Sequence, residues 1–281
     1  MRLSTDDHDR GVAGMTYVYP VVSRRARGVS VGVNLNPNNA CNWRCVYCQV
    51  PGLTFGKGPP IDLELLEDEL TRMLEALTVG DYMERHVPEE SRRLNDVAFS
   101  GNGEPTSSPE FAEAVALARR VRERLALPET VQSVLITNGS LTHQAAVQRG
   151  LEELREANGE VWFKLDGGTE AWLAKFNGDR AGLERREANL AHAARCCPTW
   201  VQTMMLAWNG AAPDDEELEA YLAVLGRALD AGVSLRGVHL YGLARTSHQP
   251  EAPELSALPA EWMEALAERI RALGLRVELS L

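Results

Sequence analysis

No run of about 18 apolar residues occurs in this 281-residue chain, so the sequence offers no candidate membrane-spanning helix. Met1 to Arg10 is polar and acidic. It lacks the apolar core of a secretory leader, and the expectation is a cytoplasmic protein with no membrane partner. There is no internal repeat and no low-complexity tract, which sets aside solenoids and fibres. Basic residues are in the minority, 29 Lys+Arg against 40 Asp+Glu, for a net charge of −11. Phosphate contacts dominate nucleic-acid affinity, so nucleic acid is a possible but disfavoured partner. Cysteines are few and odd in number, five, which argues against a disulfide framework. Yet Cys41, Cys45 and Cys48 fall within eight residues, and clustered thiols in a reducing compartment bind metal or act in catalysis.

Strand-like apolar runs alternate with amphipathic stretches through most of the sequence. Strands are expected at Val31–Leu35, Asp96–Ser100, Val131–Thr137, Val161–Leu165, Trp200–Leu206 and Arg236–Tyr241, with a weak last one at Leu275–Leu281. The spacing of Leu63, Leu66, Leu70, Met73, Leu74 and Leu77 predicts a helix over Asp62–Leu77. Further helices are expected at Pro109–Leu125, with Ser108 as N-cap and Pro109 at the first helical position, and at Ala145–Ala157, Leu183–Cys196, Asp215–Ala231 and Pro259–Leu273. Such alternation builds βα units on a parallel sheet, wound as a barrel or an open doubly wound sheet. Six strong units fall short of the eight in a full barrel. The expected organisation is a single α/β domain over residues 1–281, with an N-terminal extension (1–30) and a polar loop insertion (79–93) that is a solvated surface feature or a lid.

The segment Asn38-Asn39-Ala40-Cys41-Asn42-Trp43-Arg44-Cys45-Val46-Tyr47-Cys48 follows the first strand with spacing C-x3-C-x2-C. Loops at the carboxyl ends of parallel strands carry the chemistry. Iron–sulfur clusters take four thiolates as a rule. Only three ligands are local, and Cys196 and Cys197 lie far down the chain; if no fourth protein ligand arrives, one iron keeps an open position where a substrate or cofactor can bind. A structural zinc site would need a fourth protein ligand, as would an electron-transfer cluster. The second strand ends in Ser100-Gly101-Asn102-Gly103-Glu104-Pro105, glycines that admit close backbone approach followed by a carboxylate.

The cysteine spacing, the aromatic Tyr47 before the last cysteine, and the Gly-Asn-Gly-Glu stretch resemble the radical S-adenosylmethionine (radical SAM) superfamily. The segments Tyr19 to Gly28, Gly32 to Leu35, Lys164-Leu165-Asp166 and Tyr241 to Arg245 are similar to its stand-alone iron–sulfur oxidoreductase branch, related to the wyosine-synthesis enzymes. That branch usually has Tyr-Gly-Pro-Val where this chain has Tyr19-Pro20-Val21-Val22. The resemblance spans about residues 17 to 250. It implies a partial (β/α)6 TIM-like barrel, with Cys41, Cys45 and Cys48 holding one 4Fe–4S cluster whose fourth iron is chelated by S-adenosyl-L-methionine. One-electron reduction would yield a 5′-deoxyadenosyl radical acting on a small-molecule or peptide substrate, with reduced flavodoxin or ferredoxin as electron donor. It further implies that Gly101, Asn102, Gly103 and Glu104 bind the methionine amino group. Tyr47, Asn138, Lys164, Asp166 and Tyr241 would face the cofactor or substrate. The competing readings are a tRNA-modifying enzyme of the wyosine type, a non-enzymatic iron–sulfur electron carrier, and a zinc-stabilised binding module.

The remaining signals are weaker. Arg24, Arg25 and Arg27 form a basic cluster suited to an anion or to a solvated edge. Arg44 is a candidate aid to donor docking, and Arg245 a candidate for a substrate carboxylate or phosphate. Gln202, Thr203 and Met205 are expected on a barrel-lining strand, Met205 as core. Cys196 is expected as buried packing, and a redox or hydrogen-donating role is open for one of the pair Cys196 and Cys197.

Overall fold

The computed structural model describes Leu3 and residues 13–23 and 28–281. The Arg24, Arg25 and Arg27 cluster lies outside the described residues. Eight strands form one sheet whose spatial order follows the chain. They are β1 (Val18–Ser23), β2 (Gly28–Val33), β3 (Leu94–Phe99), β4 (Gln132–Thr137), β5 (Gly159–Lys164), β6 (Thr199–Met205), β7 (Leu235–Gly242) and β8 (Val277–Ser280). β1 pairs antiparallel with β2, and every later neighbour pairs parallel. Strands β2 to β7 are the six expected from the sequence, and β8 is the weak seventh. The sheet curls into a partial barrel.

The helices are α1 (Leu63–Thr78), α2 (Tyr82–His86), α3 (Phe111–Arg124), α4 (Ala145–Glu156), α5 (Glu170–Asn177), α6 (Leu183–Cys196), α7 (Asp215–Asp230) and α8 (Ala260–Arg271). The period-2 pattern of the strands divides the labour between their faces. Val31, Val97, Phe99, Leu135, Phe163 and Val201 pack with the helices in one core. Each such burial is worth roughly 1.5–3 kcal/mol of transfer free energy. The opposite faces, with Ser30, Asp96, Val134, Trp162 and Lys164, line an interior cavity.

Three local expectations are corrected. Helix α3 starts at Phe111 with Glu110 at its N-cap; Pro105–Ser107 forms a 3-10 turn first, so Ser108 closes that turn and caps no α-helix. Residues 79–93 are not one loop, because α2 and a short 3-10 turn (Glu89–Ser91) occupy them and bury Val87. They do not line the interior cavity. The N-terminal stretch contributes β1, an edge strand on which Pro20 is tolerated because an edge need not donate every ladder bond.

Candidate functional site

The cysteine loop leaves the end of β2 and folds back on itself. Asn36 donates from its backbone N to Asn34 Oδ1 (3.0 Å) and from Nδ2 to the Ala40 carbonyl (3.0 Å). A two-residue ladder then joins Ala40–Cys41 to Thr54–Phe55. Cys41, Cys45 and Cys48 all line a single cavity of about 330 Å³ at the carboxyl ends of the strands. Between them Trp43 is buried, with the Arg186 guanidinium 4.0 Å from its ring centroid. Arg186, on α6, also bonds Asp179 (2.7 Å) and the carbonyls of Asn138 and Lys164. One buried cation thus ties the cysteine loop to the ends of β4 and β5.

Burial pushes the Cys41 thiol up to about 12 and Cys45 up to about 11, so both are protonated until a metal displaces the proton. Among the described residues no trio of His, Cys, Asp or Glu is gathered tightly enough to grip a single metal ion. Three thiols that line one cavity fit a polynuclear cluster, in which each thiolate takes a different iron. A structural zinc would draw a fourth protein ligand into the same sphere. From Arg10 to Ile61 the sequence carries no Asp or Glu, which keeps like charge out of the segment that would hold an anionic centre.

The Gly101 to Glu104 turn after β3 presses directly on this loop. A Cβ at Gly103 would sit 2.1 Å from the Ala40 carbonyl oxygen, so only glycine fits there. Asn102 donates to Asn34 Oδ1 through its backbone (3.0 Å) and to Asn39 Oδ1 through Nδ2 (2.6 Å). Glu104 is 2% exposed. Its Oε1 accepts from Thr106 N (3.1 Å), Thr106 Oγ1 (2.6 Å) and Thr137 Oγ1 (2.6 Å), and its Oε2 from Asn138 N (2.6 Å). Burial raises the Glu104 pKa while these four donors pull it down, and burial prevails. Asn138 completes the join by donating from Nδ2 to Asn42 Oδ1 (2.8 Å).

The ends of β5 and β7 supply the opposite wall. Lys164 Nζ bonds Tyr47 OH (2.9 Å) and Tyr241 OH (3.3 Å). Burial works against its charge, but Asp166, with Tyr241 and Cys45, holds its pKa above the usual lysine range. Asp166 is expected at the cofactor from the sequence; the structure does not bring it to the cavity wall. It is 1% exposed and accepts from Tyr47 OH, Asn177 Nδ2 (2.7 Å) and Met204 N (2.8 Å). Its carboxylate orients Tyr47 and charges Lys164 from behind. Tyr47, Asn138, Lys164 and Tyr241 do line the cavity with Gly101 to Glu104.

Arg44 is bound two ways by Glu251 (2.9 and 2.5 Å), so its charge is already matched. Arg245 lines the cavity and donates to Gln49 (2.9 Å). Met205 is core, as expected, while its neighbour Met204 faces the cavity. Cys196 and Cys197 are buried in the main core, away from the cavity. Tyr19, Ser30, Asp96, Trp162 and Met204 are cavity-lining residues that the sequence reading left out. The signal for Ser30 and Asp96 is a polar residue at an alternate position of an otherwise apolar strand.

The family described as the Radical SAM superfamily matches residues 35–222. A UPF0026 protein of Helicobacter pylori is 29% identical over 135 residues, 48% of this chain; the match spans 38% of that relative's length. Among solved structures, a radical SAM methyltransferase from Sphaerobacter thermophilus superposes with a TM-score of 0.60 at 14% identity, covering 95% of this chain and 70% of its own. TYW1 with a lysine-pyruvate adduct bound superposes with a TM-score of 0.58 at 17% identity, covering 88% and 74%. No helix among the described residues is long and apolar enough to cross a membrane.

Proposed function

Because the chain belongs to the radical SAM superfamily, we propose that it is a single-domain enzyme that cleaves S-adenosyl-L-methionine reductively to act on a small-molecule or peptide substrate. The observation that carries this reading is the convergence of three thiols and the Gly101 to Glu104 turn on one cavity. A bound 4Fe–4S cluster with S-adenosyl-L-methionine supplies the one-electron chemistry that gives a 5′-deoxyadenosyl radical.

The chain's own residues do the rest. Cys41, Cys45 and Cys48 hold the cluster. Glu104 Oε2 takes one protein donor and keeps acceptor capacity for the amino group. Lys164, a fixed cation between two phenols, meets a carboxylate. Tyr241 and the strand end after it border the adenosine side. The barrel walls screen a reactive intermediate from bulk water. A cavity of about 330 Å³ and a net charge of −11 favour a small substrate over tRNA. A low-potential flavodoxin or ferredoxin is the electron donor.

The test is anaerobic. The full chain is reconstituted with iron and sulfide, reduced, and given S-adenosyl-L-methionine; the expected product is 5′-deoxyadenosine, read by mass spectrometry. A protein that takes up zinc and no iron sinks the proposal, and tight, salt-sensitive tRNA binding would move the substrate to RNA.

A further inference from the structure

The last turn of α5 is seamed to the cysteine loop. Arg44 N donates to the Asn177 carbonyl (3.0 Å) and Val46 N to the Phe176 carbonyl (2.9 Å), two bonds that flank Cys45. Gly178 ends the helix in the left-handed region (φ 70°), where glycine costs nothing. The seam brings the Asn177 side chain onto the thiol, with Nδ2 3.4 Å from Cys45 Sγ and 2.7 Å from Asp166 Oδ2. An amide nitrogen carries two protons, and here each has one acceptor. The orientation is fixed, because flipping the amide would set its oxygen against the Asp166 carboxylate. Asp166 is itself held by Tyr47 and the Met204 amide. Asn177 is wholly buried and its Oδ1 meets no donor. An amide placed to satisfy two acceptors while its own oxygen stays unbonded is aimed at those acceptors.

We infer that Asn177 is a positioning residue for the metal centre: its amide donates a hydrogen bond to the sulfur of Cys45 and raises the reduction potential of the cluster held there. The inference rests on Cys41, Cys45 and Cys48 being the cluster ligands. Hydrogen bonds to ligand sulfurs draw charge from the iron and favour the reduced state. Cys41 is differently placed, since its sulfur lies 4.0 Å from the amide oxygen of Asn42, whose nitrogen donates to Ser140. Asn177 therefore acts on one thiolate of the three.

The experiment titrates the reconstituted full chain and its Asn177→Leu variant, monitored by electron paramagnetic resonance. Leucine keeps the branched heavy-atom skeleton of asparagine and removes the donor. The expected result is a comparable cluster content with a more negative midpoint, so that the reduced fraction falls several-fold at the wild-type midpoint. Equal midpoints overturn the inference and leave the cluster reading standing. A wild type that binds no iron overturns both. If the leucine variant takes up no cluster, the reduced wild type is grown with side-chain ¹⁵N-asparagine and read by pulsed resonance. A nitrogen coupling supports the hydrogen bond to sulfur, and its absence overturns it.

Discussion

The molecule holds cysteines in two places, half-buried at the cavity and buried in the core, and raises thiols in both. Cys196 and Cys197 close α6 and lead into β6, packed among apolar side chains of the main core. Burial pushes Cys197 up to about 12, and its sulfur reaches only the Gly159 carbonyl (3.4 Å). Cys41 and Cys45 have thiols raised to a similar degree. Their loop, however, sits at the carboxyl end of a parallel strand, against a glycine turn, with Lys164, Arg186 and the Asn177 amide close behind. An elevated thiol pKa alone therefore does not mark a metal site. What distinguishes the proposed one is an open cavity in front of the sulfur and donors or cations behind it, which would favour the thiolate on metal binding.

The sharpest way to break this comparison is Cys45→Ala. Iron content and 5′-deoxyadenosine formation are expected to fall by more than about 100-fold, beyond the 10–100-fold typical of residues that only support a ligand. Retained activity would place the two groups of cysteines on an equal footing. Next in size is Gly103→Ala, which drives a methyl into the Ala40 carbonyl. Overpacking of that kind costs about 1–3 kcal/mol, and urea unfolding together with cluster loading should both register it. The smallest effect belongs to Cys197→Ala. Its loss removes one buried sulfur, worth about 1 kcal/mol, and should leave iron uptake unchanged. Iron loss in that variant would show that the second group of cysteines takes part in the site.

The fold was legible because its strands are buried on both faces and bounded by turn residues. Asn138-Gly139 and Asp166-Gly167-Gly168 each stop a strand where the structure also leaves the sheet. Helix α1 was readable from leucine spacing, with Asp62 accepting from the amides of Glu64 and Leu65. Among the elements that escaped, two did so for plain physical reasons. β1 carries Pro20, which reads as a break unless the strand is known to lie at an edge. α5 is eight residues long, too short for periodicity to identify. Its capping signals, Thr169 before it and Gly178 after it, are present in the sequence. Missing α5 meant missing Asn177. The thiols and the glycine turn were visible as local motifs. The inward residues of the strands, Ser30 and Asp96 among them, became site residues only when curvature brought seven strands around one space. Asp166 shows the converse, since a strand-end carboxylate drawn as a ligand contact serves instead to hold Tyr47 and Asn177.

The seam between α5 and the cysteine loop has a kinetic consequence. The amides of Arg44 and Val46 are bonded to the helix end on either side of Cys45. An outward swing of the loop breaks both bonds and leaves the two helix-end carbonyls without a protein donor. The exchange of those two amides with deuterated solvent then reports how often the loop parts from the helix.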